Sequence, residues 1–198
     1  AKVRYGTRVG TAVALSEVFD AFDGTFIASG AHGRRKLGLE NEDAPGVLNA
    51  LDVLRQVNTE GPFLPGRRVI VVGGGNVAMD TALTARRCGA VEVDVVALEQ
   101  WDAMPAHRWE VDQALEEGIV FHNGWGPGRI DVKDGRFSGL ELYQCLSVFD
   151  EAGRFKPVFD DSVREYLSAD TLILVIYETI DTAYLSASDE IDRHDDGR

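Results

Sequence analysis

The amino-acid sequence predicts an α/β fold in which a parallel sheet with helices packed on it leads into an antiparallel β-meander. Three observations predict it. Arg67-Arg68-Val69-Ile70-Val71-Val72 is a β-branched run, apolar on both faces after its basic start, as a central parallel strand requires. It meets Gly73-Gly74-Gly75 and then a helical stripe, so strand, glycine bend and helix follow one another without a spacer. Beyond Gly128 the pattern changes to strand-like runs joined by tight-turn residues, the mark of antiparallel pairing.

Taken in order, Val3 to Gly30 holds short apolar pieces ending in Thr25-Phe26-Ile27-Ala28-Ser29-Gly30, expected as a buried strand running into a glycine turn. Gly33 to Pro45 is polar and expected as loop. From Gly46 to Val57, residues Val47, Leu48, Leu51, Leu54 and Val57 recur at helical spacing, which predicts a helix. The strand Arg67 to Val72 is expected to be covered by helices. Over Asn76 to Cys88, residues Val77, Ala78, Thr81, Ala82, Ala85 and Cys88 share one stripe, Asp80, Thr84 and Arg87 turn away, and Gly89 stands at the C-cap. Val91 to Leu98 predicts a second strand, His107 to Glu117 a helix closed by Gly118, and Ile119 to His122 a third strand. Such alternation makes an α/β unit with right-handed crossovers. Arg129 to Val132, the turn Lys133-Asp134-Gly135, and Gly139 to Phe149 predict antiparallel strands. Asp150 to Ser168 reads as mostly a polar excursion. Ala169 to Ile176 predicts a last buried strand returning to the parallel sheet, and the Asp-rich tail after Ser186 is expected to be disordered.

Composition narrows the chemistry. Hydrophobic residues make up 44 % of the 198 positions and charged residues 27 %, an ordinary globular balance. The longest apolar stretch, Leu172 to Tyr177, is far too short to cross a bilayer. No apolar run backs the basic residues of Ala1-Lys2-Val3-Arg4, so no secretory signal is read and the expected compartment is the cytoplasm. With 20 Lys and Arg against 33 Asp and Glu, the net charge of −13 sets up a field that argues against nucleic acid. Cys88 and Cys145 lie too far apart in sequence for a CxxC redox pair or a cysteine-ligated cluster. Electron chemistry here needs an organic cofactor.

Gly73-Gly74-Gly75-Asn76-Val77-Ala78 fits G-x-G-x-x-A between a strand and a helix. Gly73 permits the tight turn, Gly75 lets the backbone approach a pyrophosphate, and Ala78 lets the helix lie close to the strand. The first-turn amides, at the positive end of the helix dipole, would receive that pyrophosphate. This is the pattern of a three-layer Rossmann-like NAD(P)-binding domain, set against the plainer reading of a structural turn. The fingerprint also asks for an acid about 20 residues on, to accept from the adenosine ribose. Glu99, 21 residues beyond Ala78, occupies that place. A carboxylate there repels a 2′-phosphate, so Glu99 favours NADH over NADPH, unless it is merely a polar loop residue.

Other chemistries are not spelled. There is no Tyr-x-x-x-Lys pair, no Gly-Lys of a Walker A loop and no Gly-x-Ser-x-Gly elbow. His32, His107, His122 and His194 show no metal-ligand spacing and read as surface or cap residues. No catalytic acid, base or nucleophile stands out, and hydride transfer between a nicotinamide and a flavin requires only stacked rings held in order.

Ala28-Ser29-Gly30-Ala31-His32, Gly46-Val47-Leu48-Asn49-Ala50-Leu51-Asp52, Gly73 to Asp80, Met104-Pro105-Ala106 and Ala169-Asp170-Thr171 resemble the glutamate synthase small-subunit type of FAD-dependent pyridine-nucleotide oxidoreductase, from about Val3 to Leu185. The resemblance implies an NAD(P)H domain inserted into an FAD domain. It divides the chain into 1–32, a remnant of the split FAD domain; 33–177, the NAD(P)H-binding domain; and 178–198, the return into the FAD domain with an acidic tail. The amino-terminal FAD glycine motif and iron–sulfur cysteines of such proteins are missing, so FAD is expected in a full-length parent. The isolated chain is expected to bind nicotinamide dinucleotide, hold FAD poorly and not turn over. Electrons would pass from NADH to flavin and on to an iron–sulfur cluster or partner subunit; a non-catalytic NAD(H)-binding or sensing module is the alternative, and a third reading has the glycine loop hold FAD itself.

Two departures stand out. Leu98-Glu99 replaces the Arg-Arg pair of NADPH-using members, and Val175-Ile176-Tyr177 replaces the usual Ala-x-Gly strand end. Tyr177 either shields the nicotinamide pocket or reflects a truncated strand end. Gly124 and Trp125 follow the third strand at its carboxyl end, where Trp125 either walls the adenosine side or packs on its own domain. Asp80 matches an acidic family position, with cofactor contact and helix packing both open.

Overall fold

The computed structural model describes residues 1–33, 36–175, 179–180 and 185. In chain order its elements are α1 (Leu15–Ala21), β1 (Ala31–Gly33), β2 (Val47–Asn49), α2 (Ala50–Thr59), β3 (Arg68–Val72), α3 (Asn76–Arg87), β4 (Glu92–Ala97), a 3-10 turn (Trp101–Ala103), α4 (Arg108–Glu116), β5 (Val120–Asn123), β6 (Trp125–Lys133), β7 (Arg136–Phe149), β8 (Phe155–Ser168), β9 (Thr171–Leu174) and β10 (Thr179–Ile180). They divide into two compact units, Ala1–Arg35 with Tyr177–Arg198, and Lys36–Ile176. Tyr177 and the acidic tail lie outside the described residues.

In the first unit β1 pairs antiparallel with β10. The expected strand Thr25 to Gly30 is not formed: the segment is irregular and Phe26 is 91 % exposed. An apolar run becomes a strand only when a neighbouring strand pairs with it, and β1, which follows, is the segment that pairs here.

The second unit carries a five-stranded parallel sheet in the order β2-β9-β3-β4-β5. Helices α2, α3 and α4 cover one face, where Val53, Met79, Leu83 and Val111 meet Val69, Val71, Val93, Val95 and Ile173. The antiparallel sheet β6-β7-β8 covers the other, where Ile130, Phe137, Leu140 and Leu142 meet Ile70, Val72, Val96, Leu172 and Leu174. Strand β3 is thus buried on both faces as its composition demands, but by helices on one side only; an apolar face does not specify what covers it.

Two further expectations are corrected. The helix read from Gly46 begins at Ala50, because Val47–Asn49 pairs with β9 and the Asn49 side chain caps α2, accepting from the Leu51 amide at 2.9 Å. A three-residue apolar strand followed by a helix mimics one longer helical stripe. The polar excursion at 150–168 contains a 14-residue strand, β8, hidden because it is an edge strand wetted along most of its length. Among the described residues no helix is long and apolar enough to cross a membrane.

Candidate functional site

All five parallel strands end on one edge of the sheet, the edge at which open α/β sheets receive ligands. There β3 runs into the glycine bend, and the Gly73 amide donates to the Val96 carbonyl at 2.9 Å. The three glycines are required for different reasons. Gly73 adopts φ +149°, and a β-carbon on it would lie 2.9 Å from Val175 Cβ and 3.4 Å from Ala78 Cβ. The bend therefore closes against β9 and α3, with Ala78 fully buried. Gly74 makes room for the β4–α4 connection: a β-carbon there would stand 2.7 Å from Glu99 Oε2, 3.2 Å from Ala97 Cβ and 3.4 Å from Pro105 Cδ.

Gly75 is unlike both. Its φ of −94° suits any residue, and a β-carbon on it meets nothing within 4 Å. The fold leaves this space open, and it adjoins the start of α3, where the amides of Gly74, Gly75, Asn76 and Val77 have no backbone acceptor among the described residues. Four free donors and a helix dipole around a cradle that a single methyl would occupy fit a diphosphate. The other strand-to-helix junctions of this sheet, Asn49–Ala50 and the connection from Leu98 to His107, contain no glycine.

Two hydrogen bonds brace the bend. Ala106 N–H donates to the Gly74 carbonyl at 3.1 Å, and His107 N–H donates to Asn76 Oδ1 at 2.9 Å. The Met104-Pro105-Ala106 element thus fastens the start of α4 to the start of α3, a role with no signal in composition or periodicity. Val77, expected on the buried stripe, is 38 % exposed at the open rim; Met79 and Leu83 are buried in addition to the expected residues, because α3 lies between α2 and α4 and buries a wide arc.

The backbone of Glu99 is held in place. Its carbonyl accepts from Asn123 Nδ2 and from the Gly124 amide, each at 3.1 Å, while its carboxylate leans over Gly74. The acid and the glycine bend are therefore neighbours. Gly124, at φ +75°, leaves room for the Gln100 side chain and accepts from the Cys145 amide at 2.8 Å. Burial, helped by the nearby Glu99 charge, pushes the Cys145 thiol up.

Two further expected site residues make contacts of their own. Trp125 opens β6 and packs against the core between the sheets. Asp80 is exposed on α3, where its charge acts on Arg87. Tyr177 lies outside the described residues.

His122 is neither a surface nor a cap residue. It lies 2.8 Å from Asp94 Oδ1 through Nε2 and 3.4 Å from Glu165 Oε1 through Nδ1, joining β4 and β5 to β8. The hydrogen bond that His122 Nε2–H donates to Asp94 Oδ1 and the charges of both carboxylates raise its pKa against the opposing effect of burial. Asp170, from Ala169-Asp170-Thr171, sits at the opposite edge of the sheet. There its Oδ2 accepts from the amides of Arg67 at 2.8 Å and Arg68 at 2.9 Å, which hold its carboxyl below the usual range.

Residues 9–194 match the family described as pyridine nucleotide-disulphide oxidoreductase. The NADP(+)-dependent formate dehydrogenase subunit beta of Moorella thermoacetica is 33 % identical over 193 residues, covering 96 % of this chain and 27 % of that protein. The NADPH-Fe(3+) oxidoreductase subunit beta of Geobacter sulfurreducens is 35 % identical, covering 91 % of this chain and 28 % of that one. The glutamate synthase [NADPH] small chain of Escherichia coli (strain K12) is 33 % identical, covering 86 % and 39 %. The chain thus spans well under half the length of these relatives. Among solved structures, Mycobacterium tuberculosis FprA in complex with NADPH superposes with a TM-score of 0.73 at 19 % identity, over 86 % of this chain and 53 % of that one, a likeness of fold. The sequence resemblance holds along nearly the whole length, and the chain belongs to the pyridine nucleotide-disulphide oxidoreductase family.

Proposed function

We propose that this chain is the NAD(P)H-binding module of an FAD-dependent oxidoreductase and that it prefers NADH. The observation that carries the reading is the Gly75 cradle: open space beside four amides that have no backbone acceptor among the described residues, at a strand-to-helix bend with an acid next to it. The amides of Gly74, Gly75, Asn76 and Val77 would hold the diphosphate, and Glu99 would accept from the adenosine ribose hydroxyls. When bound, the nicotinamide supplies a hydride for a flavin. This chain's part is to bind and orient: the bend fixes the diphosphate, the Ala106 and His107 amides keep the bend in place, and Glu99 sets the adenosine end.

The names of the relatives above refer to NADP(H), and this chain has Leu98-Glu99 where the family resemblance implies an Arg-Arg pair in NADPH-using members. A carboxylate beside a 2′-phosphate is repulsive, which supports NADH here. Residues 1–32 and 178–198 are proposed as parts of the FAD domain of a longer parent, and an iron–sulfur cluster or partner subunit would take the electrons onward. Isothermal titration of the chain with NADH and NADPH tests the reading: NADH binds more tightly, and the reverse order removes Glu99 from its role. Binding of neither removes the site.

A further inference from the structure

Near the carboxyl end of β5 one side chain joins three strands. His122, with its side chain 15 % exposed, places Nε2 2.8 Å from Asp94 Oδ1 on β4 and Nδ1 3.4 Å from Glu165 Oε1 on β8. Resting on the dinucleotide reading above, we propose that His122 is a positioning residue of that site: clasped between the two carboxylates, it holds the segment 122–124 that fixes the Glu99 backbone, and so sets how tightly the adenosine end of the cofactor is bound.

The clasp depends on a proton. Both ring nitrogens face a carboxylate oxygen, and an ionised carboxylate only accepts. The imidazolium can donate to both; the neutral ring has a single N–H and turns a lone pair on the other carboxylate. The charges acting on His122 are Asp94 of β4 and Glu165 of β8. On β6 and β7, Arg129, Asp131 and Glu141 pair among themselves and with Arg164 of β8. The hydrogen bond to Asp94 and the charges of both carboxylates raise the His122 pKa above its ordinary 6.5, so the clasp is closed below that value and opens as pH rises through the folded one.

From the clasp to the site the connection is short. The β4–β5 ladder ends at Ala97 and Asn123. Past it the Glu99 carbonyl accepts from Asn123 Nδ2 and from the Gly124 amide, and the Gly124 carbonyl accepts from the Cys145 amide of β7. Residues 122–124 are thus tied to β4 and β8 by the imidazole, to Glu99 by two donors and to β7 by a carbonyl. Gly124, at φ +75°, is where the chain leaves the parallel sheet for the antiparallel one, and these ties set its course. Opening the clasp loosens the support of Glu99 and leaves the glycine bend, braced by Ala106 and His107, as it was.

The test is titration of the full chain with ADP-ribose and with NADH from about pH 6 to about pH 9, for the wild type, His122→Gln and Glu165→Gln. Each titration is run below the melting temperature of its variant, so that the affinity read is that of the folded chain. The wild type should bind both ligands about threefold more weakly at the upper end of the range than at the lower. His122→Gln should bind at the weaker level throughout. Glu165→Gln, which removes one of the two carboxylates, should lose affinity at a lower pH than the wild type. A merely structural bridge would move the melting temperature with pH and leave affinity level. Wild-type affinity that stays level, or falls equally in His122→Gln, therefore overturns the proposal. Should His122→Gln not fold, Glu165→Gln decides: a fall displaced to lower pH supports it, and an undisplaced fall overturns it. If the wild type binds neither ligand at any pH, the dinucleotide reading fails and this proposal with it. If the wild type binds and Gly75→Val does not, that reading stands whatever the His122 variant does.

Discussion

Glu99 Oε2 stands so close over Gly74 that a β-carbon on the glycine would lie 2.7 Å from it. The acid that would select the cofactor and the bend that would grip it are therefore one packed unit. Glu99→Gln keeps the shape and removes the charge. It should raise NADPH affinity about tenfold relative to NADH, the scale of one lost close repulsion. Titration with both cofactors checks this, and an unchanged ratio would show that the carboxylate does not select.

Gly73 and Gly75 should answer oppositely to substitution. Gly75→Val places a β-branched side chain where the backbone is already extended and the space is empty, so folding should be retained and NADH binding lost. Gly73→Ala meets Val175 at a positive φ and should lower stability by roughly 1–3 kcal/mol. Urea denaturation beside titration separates the two outcomes.

The His122 bridge predicts a pH dependence with a definite sign. Its folded pKa is raised above the ordinary 6.5 by Asp94 and Glu165, so the stabilisation is complete below that value and is lost as pH rises through the folded pKa. The urea midpoint should fall as pH is raised from about 6 to above the folded pKa. In His122→Gln that slope should flatten.

Asp170 predicts the opposite sign. Its depressed carboxyl adds stability above the ordinary value of 3.8, which is lost as pH falls through the folded pKa. Asp170→Ala should cost about 1 kcal/mol at neutral pH, a modest figure because the group is exposed. Acid denaturation of the variant should then lack that component.

The sequence made β3, α3, β4, α4 and β5 legible because each has a strong period and a clear stop: Gly73 after β3, Gly89 after α3 and Gly118 after α4. The glycine bend was legible as a strand-to-helix junction because its motif carries its own physical reasons. Strand β8 was not, since a strand held chiefly by backbone bonds at a wet edge leaves no alternation to find. The Asn76–His107 tie and the His122 bridge were not either. They join residues 31 positions apart in one case, and two separate sheets in the other, and a single sequence carries no signal of such pairings.

Strand β9 lies between β2 and β3, yet it is the last of the parallel strands to be synthesised. Until Leu174 has left the ribosome, β2 has no neighbour and the inner edge of β3 is bare. The nascent chain must therefore carry an unpaired, β-branched edge from the synthesis of β3 until that of β9, a state prone to aggregation. Expression that stalls or is cut before residue 171 should yield inclusion bodies, whereas chains released beyond Val175 close the sheet.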